Sequence, residues 1–473
     1  MEKTEPASLL ARWGLPIAKI GSLGDKLYDY WDRFAHHFKT KTRDSSEYAF
    51  WYISGLLRLE SERTMANIGR TSDISPQNMH HFISNSPWSG EEVIKAVQQE
   101  ISHRPEFQSG VLIIDESAEA KAGEQSAGAG RQYNGRLGKI ELSQVGVFAS
   151  LATPVAHTWI DGALFLPQSW FDEAAKAARE QVGVPETLTF QTKPQLAFKL
   201  IERVKANGAP FEAVDMDTLY GRNQALRAQL DRAKIEYYGD VPSNTEVYLS
   251  PPRLYHPLTK KGKRSKRVLV AGRKYPVQSL IELPQLQWER LTLRPSETGM
   301  LTADFARLPV WTVYEKTVRR EWLLFRLDNG QVTYTLSNAA ANTSLTTMAW
   351  RKSHRCFIEC DNRDCKSELG WDELQATKYR AWQHHLALTI LASWFVTDIQ
   401  LDWAKECRCQ PELLAQYQVE VLPMLSVANV RLLLRAAMPL PQLSPTAAAM
   451  LVIEHLLNRL RSRKSRLKRA ASP

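Results

Sequence analysis

The spacing of apolar positions divides this chain into stretches of different texture. Up to about residue 105 they recur at helical intervals. Asp44-Ser45-Ser46 can cap a helix through Tyr48, Phe50, Trp51, Ile53, Leu56 and Leu57. Residues 62–70 read as a short helix, Asp73-Ile74 as a turn, and Ser75-Pro76 as the cap and first residue of a second helix through Phe82. The pattern predicts an all-α domain over residues 1–105 with a helix-turn-helix. Gln77, Asn78, His80 and His81 supply the polar side chains of its second helix.

The period then shortens. Residues 111–115, 144–153 and 157–166 are strand-like, the first being Val111-Leu112-Ile113-Ile114 closed by Asp115. Residues 170–181 and 193–204 read as helices. Residues 211–217 form a second acid-closed strand, followed by Tyr220-Gly221, a helix over 221–234 and a strand over 235–241. Strands first in antiparallel array and then alternating with helices predict an α/β region, a mixed sheet flanked by helices, over residues 106–241. Asp215 and Asp217 stand two apart on one strand and face the same way, so the pattern alone does not choose between them.

From 242 to 349 the texture is β-rich. Residues 267–271 read as paired with 273–277, and 310–315, 321–327 and 331–336 are further strands, with Asp328-Asn329-Gly330 as a hairpin turn. Helical spacing returns at 350–400 and continues through a basic C-terminal region, 401–473.

Candidate chemistry enters with one helical stripe. At 100° per residue, Glu359 lies roughly 40° around from Arg355, and Lys366 falls within about 20° of both. Ile358, Cys365 and Leu369 form the apolar side. Ordinary charge pairing on an exposed helix is the plainer reading of the stripe taken alone. Together with two strand-end aspartates at the crevice of an α/β sheet, however, Glu359 completes a carboxylate set able to bind two divalent metals, the arrangement suited to in-line displacement at phosphorus.

Charge narrows the partner. A net charge of +10 over 473 residues points to a polyanion. The Gly-rich loop at 121–139 carries Arg131, Arg136 and Lys139, and residues 260–267 include Lys260, Lys261, Lys263 and Arg264. Both are suited to phosphate contact, and Gln77 and Asn78 to base edges or phosphates. The N-terminus lacks the cationic and apolar regions of a signal peptide, and the apolar stretch 386–396 is too short to span a bilayer, so a soluble cytoplasmic protein is expected, with no membrane partner. Five cysteines, Cys356, Cys360, Cys365, Cys407 and Cys409, read as reduced thiols, their spacing being that of neither a zinc ribbon nor a finger.

The stripe resembles the Arg-x3-Glu-x6-Lys part of the Tyr-x2-Arg-x3-Glu-x6-Lys signature of DDE transposases of the IS-four superfamily. The segment Arg131-Gln132-Tyr133-Asn134-Gly135-Arg136-Leu137-Gly138-Lys139-Ile140, with Gln144-Val145-Gly146-Val147, is similar to the IS-seven-oh-one branch. Lys352 stands where the signature has Tyr, and Asp115-Glu116-Ser117 where many relatives have a second Asp and a Thr. The resemblance implies an RNase H-like catalytic core interrupted by the β-rich insertion, with an N-terminal DNA-binding domain. It implies Asp115, Asp217 and Glu359 as catalytic ligands of two Mg²⁺ ions, with Mn²⁺ able to substitute, and prefers Asp217 to Asp215 for its distance to Tyr220-Gly221. It further implies DNA contacts from Arg355, Lys366 and Lys352, and a base-stacking tryptophan among Trp288, Trp311 and Trp322. The implied activity is cleavage of insertion-sequence ends and joining to target DNA through a hairpin route. The implied partners are double-stranded DNA and a second subunit in the synaptic complex. A transposase-derived repressor that no longer cuts is the alternative.

Overall fold

Ile114 and Met216 face each other as the last paired residues of two parallel strands, and the sheet extends outward from them on both sides. A computed structural model describes residues 12–14, 17–134, 138–257, 263–296, 299–406, 411–416, 425–442 and 444–470. Arg136, Lys260, Lys261, Cys407 and Cys409 lie outside the described residues.

The core strands are β1 (Gly110–Ala120), β2 (Gly130–Asn134), β3 (Lys139–Ala152), β4 (His157–Phe165), β5 (Phe211–Met216) and β6 (Glu236–Val241). Their order is β4-β3-β1-β5-β6, with β2 also paired to β3. Strands β4, β3 and β1 run antiparallel, whereas β1, β5 and β6 run parallel. This mixed order is consistent with the expected RNase H-like core. β1 continues to Ala120, past the apolar run, because residues 115–120 keep pairing with β3 after β5 has ended.

The β-rich stretch forms β7 (Glu246–Tyr248), β8 (Arg253–Tyr255), β9 (Leu269–Ala271), β10 (Lys274–Pro276), β11 (Glu289–Ser296), β12 (Gly299–Tyr314), β13 (Thr317–Asp328) and β14 (Gln331–Ser337). β14 pairs with β6, so all of these but β8 and β9, which pair only with each other, lengthen the core sheet at its edge. They also have a hydrophobic cluster of their own, centred on Val247, Leu280, Val310, Leu323 and Phe325. Asn329 and Gly330 both have positive φ, 49° and 78°, as the hairpin turn between β13 and β14 requires. One pairing differs from expectation. The strand over 269–271 pairs with β8, and β10 pairs with β7, so the two runs predicted to pair with each other belong to different ladders. Only Gly272 separates the two runs, yet β8 and β7 rather than each other are their partners.

The N-terminal helices share their core with the sheet. Helix Ser46–Arg58 begins where Asp44 Oδ1 accepts the Ser46 amide at 2.9 Å. The helices Met65–Thr71 and Pro76–Ser84 are joined by a turn in which Asp73 has a φ of 55°. The long helix Tyr379–Glu406 binds these elements together. Its Leu391 carbonyl accepts from the Tyr30 hydroxyl at 2.7 Å, and the His385 Nδ1 lies 2.9 Å from the Tyr52 hydroxyl. Trp88 stacks on His384 with ring centres 3.6 Å apart. Residues 386–396 are thus a core segment, and among the described residues no helix is long and apolar enough to cross a membrane.

Candidate active site

Parallel pairing sets the central geometry. Ile114 pairs with Met216, and Asp115 and Asp217 are the next residue on each chain. Asp115 lies within β1 at the level where β5 ends, and Asp217 just beyond β5, so the two carboxylates leave neighbouring strands, which lie about 4.8 Å apart. Burial first, and then the charge of Asp217, push Asp115 up to about 7, against the Glu116 amide that donates to its Oδ1 at 2.8 Å. Burial and then the charge of Glu116 likewise raise Asp217. Each acid resists the ionisation of the other, so a cation between them relieves both.

Asp217 also caps the short helix Thr218–Gly221, its Oδ1 accepting the amides of Leu219 and Tyr220 at 2.9 and 3.3 Å. Gly221 is dictated by the close approach of this turn to β6: a Cβ there would lie 2.1 Å from the Asp240 carbonyl oxygen. Tyr220 turns inward and donates its hydroxyl to Glu116 at 2.9 Å.

The two aspartates of β5 separate by environment. Asp215 is fully buried and faces Lys352, whose ammonium stands 2.7 Å from Asp215 and 3.1 Å from Asp240. Burial pulls the Lys352 pKa down, but Asp215 and Asp240 outweigh it and hold the ammonium charged. Burial raises Asp215 to about 7 in spite of that ammonium. Asp217, by contrast, is half-buried and makes no pair with Lys352.

Arg355 and Glu359 come from the helix Cys356–Ser367, which Arg355 precedes as its N-terminal cap and which packs on β1. Arg355 Nη2 lies 3.2 Å from Glu359 Oε1. Burial opposes the charge of Arg355, yet Asp240, Asp215, Asp115 and Glu359 together raise its pKa. Arg355 is thus the common neighbour of the three acids. The Glu359 side chain is 57% exposed and turned to this arginine. Among the described residues no three His, Cys, Asp or Glu side chains form a ready metal cage. The chemistry of the donors nonetheless suits a hard divalent cation: two carboxylates of which Asp217 raises Asp115, and a third, Glu359, on a long, largely exposed side chain paired with Arg355.

Several residues expected to touch DNA are engaged inside the protein. Lys352 is buried between Asp215 and Asp240, and Lys366 pairs with Glu119 at 2.7 Å while donating to the Ala118 carbonyl at 3.1 Å. Both cations neutralise acids that strand and helix packing bring against them, which the one-dimensional stripe did not reveal. Trp322 is buried with Arg307 and Arg320 over its ring at 4.3 and 4.4 Å, and Trp288 packs edge-on to Phe325 in the insertion core. Trp311 is half-buried, opposite Arg320 on β13 and Tyr248 on β7. Arg131 and Lys139 are exposed on the β2–β3 hairpin, and Lys263 and Arg264 are exposed ahead of β9. Gln77, Asn78, His80 and His81 are exposed on their helix, while Met79, Phe82 and Ile83 point inward. Cys356, Cys360 and Cys365 are free thiols.

Sequence reasoning missed Asp240 and the acid-linking part of Glu116. Asp240 is the next-to-last residue of β6, within the strand expected over 235–241. Glu116 stood out only as a departure from the family motif, and its links to Tyr220 and Lys193, distant in sequence, stayed hidden.

A family model described as DDE superfamily endonuclease matches residues 33–299, more than half the chain; the match includes Asp115 and Asp217 and ends before Glu359. The chain is also similar to a probable transposase for insertion sequence element IS701 from Microchaete diplosiphon, 27% identical over 233 residues, or 46% of this chain and 56% of that relative. The similarity therefore spans little more than half the relative's length.

Proposed function

Because this chain belongs to the DDE superfamily endonucleases, we propose that it is a DNA transposase that cuts insertion-sequence ends and joins them to target DNA. The observation that carries this reading is the shared register of β1 and β5, from which Asp115 and Asp217 emerge side by side. Asp115 and Asp217, joined by Glu359 once its exposed side chain turns inward, would hold two Mg²⁺ ions, with Mn²⁺ able to substitute. Such ions supply Lewis-acid stabilisation to the attacking and leaving oxygens of an in-line displacement.

The remaining work falls to the chain's own residues. Arg355 holds Glu359 and presents a guanidinium at the site's edge, where a backbone phosphate of the cut strand would lie. Lys352 keeps its place by neutralising Asp215 and Asp240 beneath the site. The helix Pro76–Ser84 presents Gln77 and Asn78 to the terminal inverted repeats, as the second helix of a helix-turn-helix does. Arg131, Lys139, Lys263 and Arg264 meet phosphates of the element or target duplex. The β-rich insertion joined to the core sheet favours the hairpin route. Trp288 and Trp311, both half-buried, are the tryptophans in it that could meet an unpaired base. Two copies in a synaptic complex would hold the two ends.

The test is incubation of the full chain and Mg²⁺ with a linear duplex bearing the repeats that flank its reading frame. Nicks at the element boundary and strand-joined products are expected. Binding without cutting would replace this reading with the repressor, and cutting without joining with a structure-selective nuclease.

A further inference from the structure

We propose that Glu116 is a positioning residue for the Asp115/Asp217 pair, and that the pair's affinity for a divalent cation depends on it. This rests on the reading of that pair as a metal site. By strand alternation Glu116 leaves the opposite face of β1 from Asp115. There its carboxylate joins three elements that are far apart in sequence. Oε2 accepts from the Tyr220 hydroxyl at 2.9 Å, and Oε1 accepts from the Lys193 ammonium at 3.1 Å, at the start of helix Lys193–Ala206.

Tyr220 is fully buried and lies three residues after Asp217, in the turn that Asp217 caps. The link from Tyr220 to Glu116 therefore ties this turn to β1 and limits how far Asp217 can move from Asp115. Glu116 also acts through charge. Its carboxylate stands one residue from Asp115 on β1 and one hydrogen bond from the turn that Asp217 caps, so its charge lies close to both aspartates. A cation between the two aspartates gains on both counts: the turn is already held, and a third carboxylate adds to the field.

Two substitutions separate these contributions. Glu116→Gln keeps an oxygen for Tyr220 but removes the charge, whereas Tyr220→Phe removes the hydroxyl and leaves the charge. The experiment measures Mn²⁺ binding to the full-length protein without DNA, by the paramagnetic resonance signal of free Mn²⁺, together with thermal unfolding. Asp217→Asn serves as the control for loss of the site. Glu116→Gln is expected to weaken Mn²⁺ binding about tenfold and Tyr220→Phe about threefold, the charge being the larger effect. The inference is overturned if both variants bind Mn²⁺ as wild type does while Asp217→Asn loses it, even if their melting midpoints fall. Should Glu116→Gln fail to fold, Tyr220→Phe decides alone. If Asp217→Asn binds Mn²⁺ undiminished, the metal reading of the pair fails and this inference fails with it.

Discussion

The ammonium of Lys352 lies 2.7 Å from the carboxylate of Asp215, in a position where neither side chain reaches solvent. Both belong to segments that carry proposed catalytic groups, Asp215 two residues before Asp217 and Lys352 three before Arg355. Their pairing fixes the helical segment against the end of β5. Removing the cation strips Asp215 and Asp240 of the one ammonium paired with both.

Lys352→Met is therefore expected to destabilise the protein by roughly 3 kcal/mol, the cost of breaking a buried pair from one side. Urea unfolding measures this. DNA-end affinity of the folded fraction should stay unchanged, because the Lys352 ammonium is held inside the protein.

A second buried network ties the insertion to the turn after Asp217. Glu321 of β13 accepts from Arg227 at 3.1 Å and from the Tyr237 hydroxyl at 2.5 Å, and Arg227 also donates to the Gly221 carbonyl. Arg319 lies buried beside it with no hydrogen-bond partner on its guanidinium. Glu321→Ala is expected to cost roughly 3–5 kcal/mol by stranding Arg227, whereas Arg319→Met should stay within about 1 kcal/mol of wild type. Urea midpoints of the two variants check the asymmetry.

The strand register gives stability a pH dependence. An unfolded aspartate has a pKa of about 3.9, but burial and the Asp217 charge push that of Asp115 up to about 7 in the folded protein. Between those values the native state keeps a proton that the unfolded chain has lost, so stability falls as pH rises across that window. Asp215, also raised to about 7, acts in the same direction. In EDTA, the melting midpoint is expected to drop between pH 5 and pH 8, and Asp115→Asn should flatten part of that drop.

The DNA surface divides into base readers and phosphate contacts. Gln77→Ala and Asn78→Ala should each reduce discrimination for the element end by about 1–3 kcal/mol with little change in stability. Arg131→Ala and Lys139→Ala should weaken specific and nonspecific duplexes alike, each lowering the salt slope by about 1. Fluorescence anisotropy at several salt concentrations separates the two behaviours.

The strand-end acids were legible because a short apolar run closed by Asp carries both its burial and its position in five or six consecutive residues. The helices Met65–Thr71 and Pro76–Ser84 with their turn, and the Asn329-Gly330 hairpin, were legible for the same reason, their chemistry being local. What stayed hidden was long-range. Lys352 and Lys366 looked like a free cationic stripe until β5, β6 and β1 brought Asp215, Asp240 and Glu119 against them. The burial of Trp322 between two arginines depends on cross-strand register, which no run of residues displays. The sharing of one core by the N-terminal helices, the sheet and the Tyr379–Glu406 helix was likewise beyond local pattern.

The central claim is that Asp115, Asp217 and Glu359 converge on shared metal. Loading the full chain, bound to a duplex carrying the element end, with Fe²⁺ in place of Mg²⁺ and adding ascorbate and peroxide cuts the polypeptide beside the metal. The account predicts cuts next to all three residues, lost together when excess Mg²⁺ competes. Cuts beside Asp115 and Asp217 with none in the helix Cys356–Ser367 would contradict it.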